Sequence, residues 1–279
     1  MTVTAGIDLG ATYTKAALVD EEGSILATVV FPTGFNFERA AERALEQALE
    51  AAGVTADDVG YVAATGFGRH MVPFRDLAIT ELTCHGRAVH ELFPAVRTVL
   101  DVGGQTAKAI RLDDGGRVKA FRLNDKCAAG SGAFLEKTAR YLGYEVTDIP
   151  GLSESATEPA TVSSVCTVFA ESEVINHLAE GRSAEDVCAG SVVALAGRAG
   201  QLVKRVKPEQ EYALTGGLTR VPLMQRELER LLGCAIHVPE DELGVYAGAL
   251  GAGLLAHQRL WKLSAAAPGG NGRGVESRR

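Results

Sequence analysis

The 279-residue sequence has no apolar run near the ~18 residues of a transmembrane helix, few aromatic residues and no excess of positive charge. Aromatic residues make up 6% of the chain and the net charge is −7, which argues against a nucleic-acid partner because phosphate binding needs a basic face. A hydrophobic fraction of 46% excludes a disordered polymer. The first residues lack the basic, apolar and small-residue pattern of a secretory signal. We therefore expect a cytoplasmic globular protein without a membrane or nucleic-acid partner.

Several common functional motifs are absent as well. The sequence contains neither the G-x-x-x-x-G-K-[ST] loop of P-loop proteins nor the G-x-G-x-x-G turn of Rossmann folds. Its five cysteines include no C-x-x-C pair, so neither a disulfide framework nor a zinc site within one chain is indicated. Core packing is the expected role of Cys84, Cys188 and Cys234. Isolated helical histidines are usually structural or solvated, so His85 and His177 are left out of the candidate site.

A segment of the sequence occurs twice, at an offset of 93 positions. Asp8 corresponds to Asp101, and Lys15 corresponds to Lys108. Both copies read as a strand, an Asp-x-Gly turn with small polar residues, a lysine and a second strand. A chance similarity of two glycine-turn hairpins is the alternative interpretation. The equal length of the two turns favours an internal duplication of one β-hairpin unit.

Hydrophobic periodicity and capping residues outline the predicted elements. Helices are predicted over residues 37–52, 81–92, 130–142, 167–179, 183–206, 222–232 and 246–261. Strands are predicted at 3–10, 15–20, 25–31, 59–64 and 236–238, with a further strand and its glycine turn at 211–217. We expect a first subdomain over 1–95, a second over 96–263 with the helix near 246–261 free to pack back on the first, and a disordered tail over 264–279.

The glycine turns have a chemistry of their own. Glycine beside Ala, Ser or Thr leaves backbone N–H groups unobstructed, and such a turn can wrap a phosphate group. Two related turns suggest that a polyphosphate binds between them, with one turn on each side. Asp8 and Asp101 would then face each other across a cleft and hold Mg²⁺ through water, because Mg²⁺ prefers few carboxylates plus water and phosphate oxygens. A third turn, Thr215–Arg220, would let the backbone approach a nucleoside.

The sequences IDLGATYTK at 7–15, LDVGGQ at 100–105 and LTGG at 214–217 resemble the two phosphate motifs and the adenosine motif of the actin, sugar-kinase and Hsp70 ATPase superfamily. The resemblance implies an α/β protein with a duplicated actin/Hsp70-like (ribonuclease H-like) fold and ATP in the interdomain cleft. It also implies catalytic roles and water-mediated Mg²⁺ binding for Asp8 and Asp101. The nucleotide-binding residues that it implies are Gly10, Ala11, Thr12, Tyr13, Thr14, Lys15, Gly103, Gly104, Gln105, Gly216, Gly217 and Leu218.

Two of the cysteines, Cys127 and Cys166, each precede a predicted helix. Free N–H groups and the helix dipole at a helix N-terminus favour a thiolate and an anionic centre bonded to it. Two thiolates are half of the four-cysteine set that binds a [4Fe–4S] cluster, and a symmetric or pseudosymmetric dimer would complete the set. Burial as small apolar side chains is the alternative interpretation of both residues.

The stretches around these cysteines, 124–136 and 163–174, closely resemble the cluster-binding segments of the BadF/BadG/BcrA/BcrD ATPase family. Residues 65–69 and 81–86 are similar to further stretches of this family, which contains ATP-binding subunits of benzoyl-CoA reductase and activators of 2-hydroxyacyl-CoA dehydratases. The resemblance implies that Cys127 and Cys166 bind a [4Fe–4S] cluster shared with a homologous subunit or a second copy. It further implies that ATP hydrolysis drives electrons from a ferredoxin-like donor into catalytic reductase or dehydratase subunits.

Two features guide the choice within this family. Arg outnumbers Lys, as is typical of a GC-rich genome, and Thr106, Arg220 and Pro222 depart from the usual nucleotide motifs. Both features favour an ATP-hydrolysing, ferredoxin-dependent oxidoreductase subunit of the benzoyl-CoA reductase type over a homodimeric dehydratase activator. A small-molecule kinase of the same fold and a nucleotide-gated regulatory module are further alternatives. A kinase would need a general-base carboxylate near a substrate hydroxyl, and the sequence has no such local pattern.

Overall fold

The computed structural model describes residues 1–125, 130–163 and 167–266. The strands in these ranges are β1 (Val3–Leu9), β2 (Tyr13–Val19), β3 (Ile25–Pro32), β4 (Val59–Thr65), β5 (Leu77–Ala78), β6 (Thr98–Val102), β7 (Ala107–Leu112), β8 (Val118–Asn124), β9 (Tyr212–Thr215) and β10 (Ile236–His237). They form two five-stranded sheets with the orders β3-β2-β1-β4-β5 and β10-β9-β6-β7-β8.

The two sheets have the same topology. β1 pairs antiparallel with β2 and parallel with β4, and β6 pairs antiparallel with β7 and parallel with β9. An outer strand then completes each hairpin, and a two-residue parallel strand closes the opposite edge. The duplication predicted from the hairpins is therefore confirmed, and it extends to the whole sheet.

The helices in the described ranges are α1 (Phe37–Ala52), α2 (Glu81–Leu92), α3 (Gly132–Leu142), α4 (Ile149–Glu154), α5 (Thr167–Ala179), α6 (Ala184–Lys204), α7 (Pro222–Leu232) and α8 (Leu243–Ala266). Their ends follow local chemistry. The Asn36 side chain accepts a hydrogen bond from the Arg39 N–H at the start of α1, which ends at Gly53 with φ 66°. The Ser183 side chain caps α6 in the same way.

Each sheet has its own apolar core. In the first half, α1 presents Ala40, Ala41, Ala44 and Ala48 to the sheet, a stripe at the three- and four-residue spacing of one helix face. The larger core of the second half joins its sheet to α3, α4, α6 and α7. Small side chains on α1 let the helix lie close to the sheet, and this closeness fixes the position of the first hairpin.

α8 closes the chain by returning to the first sheet. A Cβ atom on Gly6 in β1 would lie 1.9 Å from the carbonyl oxygen of Ala249, and one on Gly251 would lie 1.8 Å from the carbonyl oxygen of Cys84. Only glycine allows backbones to approach so closely. α8 therefore packs against both β1 and α2.

The last helix also extends beyond its predicted end. α8 continues to Ala266, three residues into the predicted tail, and the Ser264 hydroxyl donates to the Leu260 carbonyl within it. Residues 267–279 lie outside the described residues. Among the helices of the described ranges, none has the length and apolar content needed to cross a membrane.

Candidate functional site

The first predicted carboxylate, Asp8, lies near the end of β1 and is 6% exposed. Its partner across the hairpin is Lys15, whose Nζ donates to Asp8 Oδ2 at 3.1 Å. The other carboxylate oxygen, Oδ1, is buried and has no hydrogen-bond partner within the described ranges. A buried oxygen of this kind marks a place where a water molecule or ligand would complete the hydrogen bonding.

The second predicted carboxylate, Asp101, is more fully enclosed. Lys108 Nζ donates to Asp101 Oδ2 at 2.8 Å and lies 3.6 Å from Glu81 Oε2, while Thr215 Oγ1 donates to Asp101 Oδ1 at 3.3 Å. Burial alone would raise the pKa of Asp101, but His85 and Lys108 hold this pKa well below its usual range. Burial would lower the pKa of Lys108, yet the charges of Asp101 and Glu81 raise it.

A Thr-Gly pair lies beside each carboxylate, at the end of the neighbouring parallel strand. The repeated set is Asp8, Lys15, Thr65 and Gly66 in the first half and Asp101, Lys108, Thr215 and Gly216 in the second. Both glycines have φ 89°. A Cβ atom on the first or the second would lie 2.6 or 2.8 Å from Oδ1 of its own carboxylate. Glycine is thus required both for the backbone conformation and for the space over the carboxylate.

The two predicted phosphate turns lie against each other. A Cβ atom on Gly104 would lie 3.1 Å from Thr12 Oγ1. Thr33 holds the first turn, because its hydroxyl donates to the Gly10 carbonyl at 2.8 Å and contacts the buried Thr14 hydroxyl at 2.9 Å. The exposed residues of the three turns are Ala11, Gln105, Gly217 and Arg220. The structure thus brings the predicted turn residues together, and their binding of nucleotide stays a prediction.

The third glycine turn, residues 216–220, continues from the end of β9 beside the second carboxylate. The Arg220 guanidinium donates to both carboxylate oxygens of Glu242, at 2.9 and 2.8 Å. This pairing raises the pKa of Arg220.

The start of α3 is bonded directly to the second phosphate turn. The N–H groups of Gly132 and Ala133 donate to the carbonyl groups of Gly103 and Gly104, at 2.9 and 2.7 Å. In the sequence, α3 begins five residues after Cys127. A displacement of the turn would therefore act on the helix that follows this cysteine.

Comparisons with known proteins agree with this geometry. Residues 5–256 match the BadF/BadG/BcrA/BcrD ATPase family. The chain belongs to this ATPase family.

Two relatives of this BadF/BadG/BcrA/BcrD ATPase carry the names of different enzyme systems. The chain is 40% identical over 259 residues to the activator of lactoyl-CoA dehydratase from Anaerotignum propionicum, with 93% of this chain and 99% of the relative covered. It is 37% identical over 277 residues to one of the subunits of benzoyl-CoA reductase from Thauera aromatica, with 94% and 97% covered.

A solved structure extends the likeness to three dimensions. The activator of 2-hydroxyisocaproyl-CoA dehydratase from Clostridium difficile with bound ADPNP is 35% identical and superposes with a TM-score of 0.90, covering 97% of this chain and 100% of that one. The predicted family membership and the duplicated actin-like ATPase fold are therefore confirmed.

The predicted cluster ligands, Cys127 and Cys166, lie outside the described residues. α5 begins at Thr167, the next residue in the sequence after Cys166. Burial raises the thiol pKa of Cys84 and of Cys188 to about 12, so neither is suited to form a thiolate. In the parts of the chain that the structure describes, no three His, Cys, Asp or Glu side chains are grouped to hold a metal ion.

On the sequence alone His85 is left out of the candidate site, and the structure places it there. His85 in α2 is 6% exposed, and its Nδ1 lies 3.1 Å from Thr215 Oγ1 and 3.7 Å from Asp101 Oδ1. It therefore belongs to the same buried polar group as the second carboxylate. The available signal was its position within 81–86, a stretch that resembles the family although it lies far from the glycine turns in the sequence.

Proposed function

We propose that this chain is an ATP-hydrolysing electron-transfer subunit that holds a [4Fe–4S] cluster jointly with a second chain. In this proposal, Cys127 and Cys166 are the cluster ligands, a ferredoxin-like protein is the donor, and a catalytic subunit that acts on a CoA thioester is the acceptor. The observation that supports it best is the pair of backbone hydrogen bonds from the start of α3 to the Gly103–Gly104 turn. These bonds link the predicted nucleotide site to the helix that follows Cys127.

ATP would bind between the two phosphate turns. Their backbone N–H groups would surround the phosphates, and Lys15 would add positive charge beside Asp8. Asp8 Oδ1, which is buried and has no partner in the described part of the chain, fits a carboxylate that accepts a hydrogen bond from metal-bound water. Mg²⁺, when bound, would neutralise charge on the phosphate oxygens. Asp8 would orient water, while the backbone of the turns would hold the phosphates in line.

The cysteine chemistry supports a shared cluster. Cys84 and Cys188 are buried neutral thiols, and Cys234 also has a raised pKa through burial and the nearby Glu229. Cys127 and Cys166 then supply two thiolates per chain, and four are the usual complement of a [4Fe–4S] cluster. The cluster, when bound, would carry single electrons. Two chains related by a twofold or pseudo-twofold axis would complete the ligand set.

Two partner systems remain candidates. The Arg-rich composition and the departures at Thr106 and Arg220 favour a subunit of benzoyl-CoA reductase that pairs with a homologous chain. The 40% identity to the lactoyl-CoA dehydratase activator, over 99% of that protein, supports a homodimeric activator as the second candidate. The two candidates differ in whether the chain needs a homologous partner to complete its cluster.

Anaerobic purification followed by iron and sulfide quantification tests the proposal. We expect about four irons per two chains in the wild type, and loss of this iron in both Cys127→Ser and Cys166→Ser. Cys234→Ser is the matched control and keeps its iron. Iron in the chain purified alone favours the activator, and iron only after addition of a homologous subunit favours the reductase. A chain that stays free of iron under both conditions contradicts the proposal, and a search for phosphoryl transfer to small-molecule hydroxyls would follow.

A further inference from the structure

The two carboxylates related by the duplication are not equivalent, and His85 is the residue that makes them different. We propose that His85 is a positioning residue that fixes Asp101 in place and thereby leaves Asp8 as the carboxylate that orients metal-bound water. This inference rests on the proposed ATP hydrolysis, and it deepens that proposal by giving the two aspartates separate roles.

The hydrogen bonds of the two repeated sets differ. Asp101 accepts a hydrogen bond from Lys108 on Oδ2 and one from Thr215 on Oδ1. His85 Nδ1 lies 3.7 Å from the same Oδ1. Within the described ranges, the Asp8 side chain accepts a hydrogen bond only from Lys15, on Oδ2. In the first half, the Thr65 hydroxyl and Asp8 Oδ1 are both buried without a hydrogen-bond partner among the described residues. The same four residue types therefore form a closed set in the second half, where both carboxylate oxygens accept hydrogen bonds. In the first half they form an open set, where one oxygen has no partner among the described residues.

His85 accounts for the closed set. It lies on α2, next to the first half, and its Nδ1 reaches the Thr215 hydroxyl of the second sheet at 3.1 Å. The Thr215 hydroxyl thus lies between His85 Nδ1 and Asp101 Oδ1, and the contact with His85 holds it in position to donate to Asp101. Each oxygen of Asp101 therefore has a hydrogen-bond partner, whereas Asp8 Oδ1 has none among the described residues.

The opposite side of the imidazole lies against Gly248 of α8, which also adjoins the first carboxylate. A Cβ atom on Gly248 of α8 would lie 3.4 Å from His85 Nε2 and 3.0 Å from Asp8 Oδ2. Gly248 thus leaves room for the imidazole beside Asp8. His85 lies between the two carboxylates, and it connects α2, α8 and the second sheet at the junction of the two halves. Its loss would loosen the position of one hairpin relative to the other.

Four variants test the inference. His85→Ala removes the imidazole, and His85→Asn keeps a polar group near the position of Nδ1. Asp8→Asn removes the negative charge of the Asp8 carboxylate. His90→Gln is the matched control, because it changes a histidine on the same helix where it packs against Gly116, away from the carboxylates.

The first readout is equilibrium binding of ADP with and without Mg²⁺. We expect the Mg²⁺-dependent gain in ADP affinity to fall about tenfold in Asp8→Asn, as after the loss of one charge-assisted interaction, and to stay within about threefold of the wild type in the other three variants. The second readout is steady-state ATP hydrolysis. We expect kcat to fall about tenfold in His85→Ala with little change in KM for ATP, and to recover in His85→Asn to within about threefold of the wild type.

Three results would overturn the inference. One is a Mg²⁺-dependent gain in ADP affinity that is unchanged in Asp8→Asn, which would indicate that Asp101 orients the metal-bound water. Another is wild-type kcat in His85→Ala. The third is equal loss of kcat in His85→Ala and His85→Asn with an equal fall in thermal midpoint, which would make His85 merely structural. If the wild type hydrolyses no ATP, the proposed function fails, whereas ADP binding with Mg²⁺ still decides between the two carboxylates.

Discussion

At the scale of single residues, the two aspartate–lysine pairs carry different energetic weight. The side chains of Lys108 and Asp101 are 6% and 3% exposed, whereas those of Lys15 and Asp8 are 20% and 9% exposed. Removal of one partner from a buried pair leaves an uncompensated charge away from water. Removal of Lys15 in the first half leaves an unpaired Asp8, whose side chain is more exposed than that of Asp101. The duplication thus supplies a matched comparison within one chain.

Lys108→Met is expected to destabilise the protein by about 3–5 kcal/mol, because Asp101 would lose its buried partner. Lys15→Met, at the equivalent position, is expected to cost less, about 1–2 kcal/mol, because the Lys15 side chain is more exposed than that of Lys108. Urea-induced unfolding followed by circular dichroism measures both changes. Equal losses in the two variants would contradict the difference in burial.

The pH dependence of this difference has a defined sign. Folding lowers the pKa of Asp101, so its stabilising effect is present above the ordinary aspartate pKa of about 3.9 and is lost as the pH falls below that value. Folding raises the pKa of Lys108, so its effect is present below about 10.4 and is lost as the pH rises through the raised pKa. The gap in unfolding free energy between wild type and Lys108→Met should therefore be constant at intermediate pH and shrink at both extremes.

At the scale of elements, glycine determines how close the helices lie. Gly251 in α8 faces the backbone of Cys84 in α2, and Gly6 in β1 faces the backbone of α8 at Ala249. These contacts hold α8 and α2 side by side, and His85 reaches the second sheet from this pair of helices. The position of the imidazole therefore depends on residues that have no chemistry of their own.

Gly251→Ala is expected to lower the thermal midpoint by about 6 °C or more, because a Cβ atom would meet backbone at 1.8 Å and cost about 3 kcal/mol. Gly197→Ala in α6 is the matched control, since a Cβ atom there meets nothing within 4 Å. Alanine favours helices over glycine by about 1 kcal/mol, so this control should be neutral or slightly stabilising. Differential scanning calorimetry compares the two variants, and similar midpoints would contradict the packing described for α8.

At the scale of the whole molecule, the turns that repeat in the sequence could be predicted from it. The contacts that packing makes between distant segments could not. Asp-x-Gly and Thr-Gly are local patterns, so the hairpins, the third turn and most helix ends follow from the sequence. β5 has two residues and α4 has six, which is too short for a periodic signal. The contact between His85 and Thr215 joins residues 130 positions apart, and only the packing of α2 and α8 brings them together. The roles of Cys127 and Cys166 stay predictions from the family resemblance.

In the proposed function, nucleotide binding acts on the cluster through α3. The most direct measurement is the electron paramagnetic resonance spectrum of the anaerobically reduced protein, recorded without nucleotide, with MgADP and with a non-hydrolysable ATP analogue. We expect a [4Fe–4S] signal that changes with the nucleotide, because the Gly103–Gly104 turn is bonded to the helix after Cys127. A spectrum without a cluster signal, or a cluster signal that is identical in all three states, would contradict this expectation.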